Sequence, residues 1–216
     1  MVMDKSIFKD IYYKRCQLAL TALKANGFEV IYADNANEAL DKVMSFIPKR
    51  AKVGIGGSVT VRDIGLVEAI EKQSNTIFMD WGKPLELKEK IKVRKEALTS
   101  DVYLTSSNAI TLQGQLVNID GTGNRVSAMI FGPKKVIIVA GANKLVDTLD
   151  EALARIRSIA GPLNGKRLNL KTPCALTGKC TDCNSPDRMC KVKVILEKKP
   201  SLSDITIVLV GENLGY

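Results

Sequence analysis

The sequence predicts an α/β protein with a mainly parallel sheet and helices on both of its faces. Short apolar runs, the pattern of buried strands, alternate along the chain with longer segments whose apolar residues recur at helical spacing. This alternation is typical of parallel sheets, because each strand-to-strand connection passes through a helix. One segment also has the turn sequence of a hairpin, which adds an antiparallel element.

The first half of the chain begins and ends with a predicted helix. Helical periodicity predicts helices over residues 3–26, 35–47 and 84–98, and a further helix that runs from a glycine turn to residue 72. Gly27 ends the first helix, Asn35 or Asn37 caps the second, and Pro48 ends it. Pro84 suits the start of the last helix, where its missing N–H costs least. Strands are predicted over residues 28–33, 51–55 and 76–79.

The second half contains the hairpin and an irregular segment. Strands are predicted over residues 101–105, 135–140 and 204–210, and helices over residues 125–130 and 144–159, with Gly161 and Pro162 ending the longer helix. The hairpin has Gln113 and Gly114 at its turn. Residues 163–200 are rich in Cys, Lys, Pro and Thr and interrupt the pattern. We interpret them as a metal-stapled excursion of one domain spanning residues 1–216.

Charge and composition narrow the possible functions. The net charge is +9 and the pI is about 9.3, which predicts either attraction to anionic partners or an ordinary basic surface. Aromatic residues are only 5% of the chain, so nucleic-acid binding lacks its usual stacking partners and is not expected. The chain has no histidine, which excludes histidine-based triads, histidine general bases and histidine-ligated zinc within it.

The N-terminus and the apolar runs predict a cytoplasmic protein. No run approaches the roughly 18 apolar residues of a membrane helix. Charges interrupt the first 16 residues, so a signal peptide is not expected. In a reducing cytoplasm, clustered cysteines indicate a metal site rather than disulfides.

A glycine turn follows the second predicted strand, in the segment GIGGSVT. Gly56 and Gly57 would let a ligand approach the backbone, and Ser58 and Thr60 could donate hydroxyl hydrogen bonds to an anion. Val59 occupies the third glycine position of a dinucleotide fingerprint, and the Gly-Lys end of a P-loop is absent. The alternative is a tight turn in which Ser58 only caps the helix.

A second group of polar residues follows later strand ends. The candidate ligand-binding residues here are Asn108, Asn124, Arg125, Asn143 and Lys144. The carboxyl ends of parallel strands are where such sheets place ligands. The asparagines could instead serve turns and caps, whereas the two cations could neutralise an anion. The candidate catalytic residues are Lys144 and Asp120, the latter as a general base because no histidine can serve.

The segments VGIGGSVT and TSSNAITLQGQLVNIDGTGNRVSAMIFGPKKVIIVAGANK resemble the lactate-utilization (LUD) domain family. The resemblance covers the chain from the first helix to the start of the cysteines. It implies a fold similar to ribose-5-phosphate isomerase and the CoA transferases. It also implies a link to iron–sulfur proteins that oxidise L-lactate to pyruvate. The isomerase and transferase activities are not implied, because their acidic glycine-rich segment and glutamate nucleophile have no counterpart here.

Four of the five cysteines lie in one short segment. Cys174, Cys180, Cys183 and Cys190 follow a C-x5-C-x2-C-x6-C spacing. Four thiolates satisfy one tetrahedral ion or the four irons of a 4Fe–4S cluster. Structural zinc generally uses two short cysteine pairs and this segment has one, which favours the cluster and leaves zinc as the alternative. Cys16 is interpreted as a small core residue.

Two functions follow from these features. The first is a redox-linked protein of lactate or other organic-acid metabolism, with an anionic metabolite at the strand ends and a cluster linked to iron–sulfur electron-transfer partners. As an enzyme, it would act in organic-acid oxidation within a complex. The second is a non-catalytic subunit or ligand sensor with a structural zinc or iron–sulfur site, which accounts equally well for the missing histidine. A second copy of the chain is a further candidate partner.

Overall fold

A computed structural model describes residues 5–82 and 84–216, so the first residues of the predicted helix over residues 3–26 lie outside it. The strands are β1 (Glu29–Ala33), β2 (Lys52–Ile55), β3 (Thr76–Phe78), β4 (Val102–Thr105), β5 (Ala109–Thr111), β6 (Leu116–Asp120), β7 (Lys135–Gly141), β8 (Leu145–Val146), β9 (Val192–Leu196) and β10 (Ile205–Val210). The helices are α1 (Lys5–Ala25), α2 (Ala36–Ser45), α3 (Val59–Asp63), α4 (Leu66–Lys72), α5 (Leu87–Ala97), α6 (Asn124–Ile130), α7 (Leu149–Arg155), α8 (Gly161–Arg167) and α9 (Pro173–Thr177).

Six strands form the main sheet in the order β1-β10-β7-β4-β2-β3, and every neighbouring pair is parallel. Successive residues of β7 alternate between two apolar cores. Ile138 packs with α1 and α6 on one face, and Val139 packs with α2, α3 and α4 on the other. Burial on both faces explains the continuous apolar runs of these strands. The predicted fold class is confirmed.

The predicted hairpin is confirmed and belongs to a second sheet, in the order β8-β5-β6-β9. β5 and β6 pair antiparallel, and α7 packs against this sheet. β9 pairs antiparallel with β6 over five residues and lies within the segment that we interpreted as irregular. That interpretation was wrong here, because Val192 and Val194 follow the alternation of a half-buried strand.

The predicted helix over residues 144–159 was wrong at both ends. Its first residues form β8, which pairs with β5, and α7 starts only after Thr148, whose hydroxyl accepts the Glu151 N–H at 3.2 Å. The helical structure does not end at Gly161 and Pro162 but continues into α8. A π-helical turn over Ile156–Ala160 precedes Pro162, and the Gly161 N–H bonds to the Ile156 carbonyl. This wider turn joins the two helices at a residue that has no N–H to donate.

Two further helix boundaries differ from the prediction, and two caps agree with it. The helix to residue 72 divides into α3 and α4 at Gly65, which has a φ of +75°. α5 begins at Leu87 rather than at residue 84, because the Glu86 and Glu89 side chains form a capping box. Asn35 caps α2 and Gly27 follows α1 with a φ of +86°, as predicted. Among residues 5–82 and 84–216, no helix has the length and apolar character needed to cross a bilayer.

Candidate ligand cavity and cysteine site

A cavity of about 450 Å³ lies at the carboxyl ends of β2, β4 and β7. Its wall includes Gly57 and Ser58 after β2, Ser106 after β4, and Lys144 after β7. The end of β6 and the helical chain after α7 complete it. The parallel order of the main sheet places these loops at one edge, since parallel strands end on the same side. We call this space the main cavity.

Most residues of the glycine turn line the main cavity, but one of its glycines is required for packing instead. Gly57, Ser58 and Thr60 line the main cavity, whereas Gly56 does not. A Cβ at Gly56 would lie 2.9 Å from the Tyr103 hydroxyl, so that glycine is required by packing. A Cβ at Gly57 would meet no atom within 4 Å. The Ser58 hydroxyl accepts the Val61 N–H at 3.2 Å and therefore caps α3.

Lys144 is buried in the wall of the main cavity, with only 3% of its surface exposed. Its Nζ donates to Thr60 Oγ1 and to Ser106 Oγ, both at 2.8 Å. No carboxylate within the described residues forms an ion pair with it. Burial, and then the positive charges of Arg155 and Arg125, lower the pKa of Lys144 to about 7, and Asp63 only partly opposes this.

Arg125 lies beside Lys144 with all its guanidinium nitrogens engaged by the protein. One terminal nitrogen donates to the Ser106 carbonyl and to Asn118 Oδ1, at 3.2 and 2.7 Å. The other donates to Asn108 Oδ1 and the Ile119 carbonyl, at 3.2 and 3.0 Å. Its Nε lies 3.4 Å from the nearest carboxylate oxygen of Asp120. Arg125 therefore connects the end of β4 to the hairpin, and a ligand in the main cavity would meet its charge rather than a free hydrogen-bond donor.

Asp120, the candidate general base, ends β6 and has both carboxylate oxygens engaged. Oδ1 accepts the N–H groups of Thr122 and Gly123 at 3.0 and 2.9 Å, and Oδ2 pairs with Arg125. The side chain does line the main cavity. These contacts fix the turn before α6 and leave the carboxylate poorly placed to take a proton from a substrate.

The three candidate asparagines differ in where they lie, and contacts to the surrounding loops are made by Asn108 and Asn143. Asn124 and Asn108 line the main cavity, and the Asn108 carbonyl accepts from Arg155 at 2.7 Å. Asn143 lies outside the cavity wall, where its side chain accepts the Leu214 N–H and donates to the Gly215 carbonyl. This contact holds the C-terminal residues against the loop that carries Lys144.

The main cavity is strongly cationic. Among the residues that the structure describes, six cationic side chains and two carboxylates line it: Arg62, Lys90, Arg94, Arg125, Lys144 and Arg167, with Asp80 and Asp120. Both carboxylates are already paired, with Arg94 and Arg125 respectively. Behind the wall, Arg155 is buried and, among the described residues, donates to the backbone carbonyls of Asn143 and Asn108 and to no carboxylate. Buried cations without anionic partners are costly, and a bound anion would offset that cost.

The four clustered cysteines line one small cavity, together with Thr172, Arg188 and Met189. Cys174 is buried in α9, and the other three are half-buried and lie in the loops that follow. Burial and the neighbouring thiols raise the pKa of Cys190. Within the described part of the chain, no three Cys, Asp or Glu side chains come close enough to form the ligand set of a single ion. Zinc thiolates lie only about 3.8 Å apart, given Zn–S bonds of roughly 2.3 Å, whereas the cubane spaces its thiolates more widely.

Arg188 organises the loops that carry these cysteines. Its guanidinium donates to the carbonyls of Cys183 and Cys190, at 2.6 and 3.0 Å, and to the Asp182 carboxylate at 2.7 Å. It thereby fixes the backbone on both sides of the small cavity and places a positive charge beside the thiols. Four thiols that line one space, with a cation beside them, have the donor chemistry that a four-thiolate centre requires.

Met189 and Cys190 line the main cavity and the cysteine cavity at once. The Lys191 N–H donates to the Asp120 carbonyl at 3.0 Å, and the pairing of β9 with β6 continues from there. A Cβ at Gly121 would lie 3.1 Å from the Met189 carbonyl, so the two segments are in close contact. The cysteine site is therefore a neighbour of the main cavity rather than a distant appendage.

Several residues of the site were not identified from the sequence. Ser106 could have been recognised, because it lies in a polar run directly after a strand. Arg155 and Met189 carried no local pattern, since each matters only through contacts that the fold creates. Arg62 and Trp81 also line the main cavity, with the guanidinium carbon 4.7 Å from the ring centroid.

The fold and the site define a class of protein: a parallel α/β sheet with a cationic cavity at its strand ends and a four-cysteine site beside it. The family model of the LUD domain matches residues 16–210, so the chain belongs to the LUD domain family. The fold is similar to the crystal structure of a DUF162 family protein from Deinococcus radiodurans. The TM-score is 0.54 and the sequence identity 11%, covering 92% of this chain and 98% of that chain. At this identity the likeness concerns the fold alone. A comparison with curated proteins finds no match.

Proposed function

We propose that this LUD-family protein acts in the metabolism of lactate or a related organic acid. In this proposal, an anionic organic acid binds in the main cavity, and the four clustered cysteines hold a 4Fe–4S cluster beside it. The cluster would supply one-electron transfer to iron–sulfur partner proteins. A reducing cytoplasm would keep the four thiols available as ligands.

The observation that carries the proposal is the wall shared by the two cavities. Because Met189 and Cys190 line both, a ligand in the main cavity would lie next to a ligand residue of the cluster. Electron transfer and mutual electrostatic influence both require such proximity. A purely structural metal site has no need to adjoin the ligand cavity.

The cationic wall supports an anionic ligand. Arg62 and Arg167 line the wall and could pair with a carboxylate of the metabolite, and Lys144 is buried in the same wall without a carboxylate partner among the described residues. Thr60 and Ser106 hold its amine in place through their hydroxyl oxygens. Arg125 keeps the surrounding loops together and adds its positive charge.

The proposal is tested on protein purified anaerobically. We expect about four irons and about four acid-labile sulfides per chain. The EPR spectrum of the dithionite-reduced protein should change when L-lactate is added, and lactamide, which lacks the carboxylate, should leave it unchanged. A spectrum that ignores L-lactate would contradict the coupling between the two cavities.

A non-catalytic subunit or ligand sensor is the second candidate function. The engaged oxygens of Asp120 favour it, because they leave this carboxylate without a free position for a substrate proton, and the chain has no histidine to take its place. Colourless protein that holds one zinc after anaerobic purification would reject the redox role and support this candidate.

A further inference from the structure

The side-chain nitrogen of Lys144 makes two hydrogen bonds, which leaves one of its hydrogen-bonding positions without a partner among the described residues. The hydroxyls of Thr60 and Ser106 direct their own hydrogens toward the carbonyls of Leu214 and Ser107, through long contacts of 3.4 Å. Both hydroxyl oxygens therefore accept an N–H from Lys144. A neutral amine has only two N–H groups and one lone pair. Two accepted N–H groups leave the lone pair in the remaining position, which has no hydrogen-bond partner within the described residues.

The charges around Lys144 favour this neutral form. Burial is the largest effect, and Arg155 and Arg125 add positive charge, while the Asp63 carboxylate opposes them. The pKa of about 7 leaves a large share of the amine unprotonated at neutral pH. A lysine that is desolvated and placed near other cations is an activated nucleophile.

We propose that Lys144 forms a covalent imine with the keto group of a 2-oxo acid bound in the main cavity. The inference rests on the anion site proposed above and assigns that site a substrate class. The amine nitrogen adds to the carbonyl carbon, and the carbonyl oxygen leaves as water with the two amine protons. A C=N bond replaces the C=O bond, so the step needs no oxidant or reductant.

The main cavity suits both the keto group and the carboxylate of such an acid. The keto carbon can approach the amine from the cavity side, because Lys144 lines the wall. Other cations of the same wall, among them Arg62 and Arg167, are available to the carboxylate. Once the imine takes up a proton, the carboxylate of the bound acid balances its charge.

Reductive trapping tests the inference on the full-length protein. The protein is incubated with pyruvate and sodium borohydride, and its mass and peptide map are then recorded. We expect one reduced adduct per chain, located on the peptide that contains Lys144. L-lactate, which has a carboxylate but a hydroxyl in place of the keto group, should give no adduct. Lys144→Met should lower the labelling on the order of tenfold or more, and Lys166→Met, an exposed lysine outside the cavity wall, should not change it.

A calorimetric titration separates failure of this inference from failure of the proposed function. Pyruvate that binds in the titration but leaves no adduct on Lys144 would overturn the imine and leave the anion site standing. Adducts spread equally over exposed lysines would also overturn it. If neither pyruvate nor L-lactate binds, the proposed ligand and the imine fall together. The peptide map of the labelled wild-type protein tests the inference even if Lys144→Met does not fold.

Discussion

The amine of Lys144 lies 2.8 Å from the hydroxyl oxygen of Thr60, although 84 residues separate the two in the chain. Thr60 belongs to the helix that follows β2, and Lys144 follows β7. Between these strands in the sheet lies β4, whose following loop supplies Ser106, the second acceptor. The contact thus joins three strand ends around one buried nitrogen.

The burial of Lys144 predicts a specific pH dependence of stability. Its pKa is about 7 in the folded protein, compared with about 10.4 in an unfolded chain. Between these values the unfolded state binds a proton that the folded state does not, so stability rises with pH. From about pH 6 to about pH 8.5, the wild type should gain on the order of 2 kcal/mol relative to Lys144→Met. Urea unfolding at both pH values measures this, and parallel curves for the two proteins would contradict it.

Arg125 is predicted to be the most important side chain for the stability of the cavity wall. Arg125→Met would remove the donors to the Ser106 and Ile119 carbonyls and leave Asp120 as an unpaired, largely buried carboxylate. We expect a loss of roughly 3–5 kcal/mol in the free energy of unfolding. The matched control is Arg157→Met at an exposed helical position, which should change stability by less than about 0.5 kcal/mol. Equal losses in the two variants would refute the assignment.

Gly57 offers a test of the anion site that leaves the fold intact. A side chain there would enter open space in the wall of the main cavity. Gly57→Asp adds a negative charge and should weaken L-lactate binding on the order of tenfold, because the charge repels the carboxylate. Gly57→Asn has nearly the same shape without the charge and should weaken binding far less. Calorimetric titration compares them, and identical affinities would argue against an anionic ligand.

The cysteines are predicted to differ sharply in their effect on metal content. Cys180→Ala removes a thiol from the small cavity and should abolish most of the bound iron and sulfide. Cys16→Ala, in the buried core and outside that cavity, should retain the metal and lose about 1 kcal/mol of stability. Metal analysis after anaerobic purification measures both, and iron retained by Cys180→Ala would exclude this thiol as a ligand.

The sequence predicted most elements because periodicity and caps are local. Asn35, Gly27 and the hairpin turn were recognised from a few neighbouring residues, and the structure confirms them. The errors occurred where a distant partner decides the local structure. β8 and β9 form because β5 and β6 offer them backbone partners, and the helix after α7 passes Pro162 through a π-helical turn.

The candidate site could be predicted from the sequence only in part. The sequence identified Lys144 and Arg125 as cations after strand ends. It could not show that the Lys144 amine keeps a free hydrogen-bonding position whereas the nitrogens of Arg125 are all engaged. That distinction depends on acceptors from other parts of the chain, such as Thr60 for Lys144 and Asn118 for Arg125. Asp120 was chosen by elimination, and its engagement with Arg125 is a tertiary contact.

The sequence by itself therefore determined the α/β class, the resemblance to the LUD family and the presence of four closely spaced cysteines. Only the tertiary structure decided that the cysteine cavity and the main cavity share Met189 and Cys190. The physical reason is the strand order. The main sheet is not arranged in chain order, and β9 pairs with β6 across more than seventy residues, so the neighbours of each loop are set by strand pairing rather than by position in the sequence.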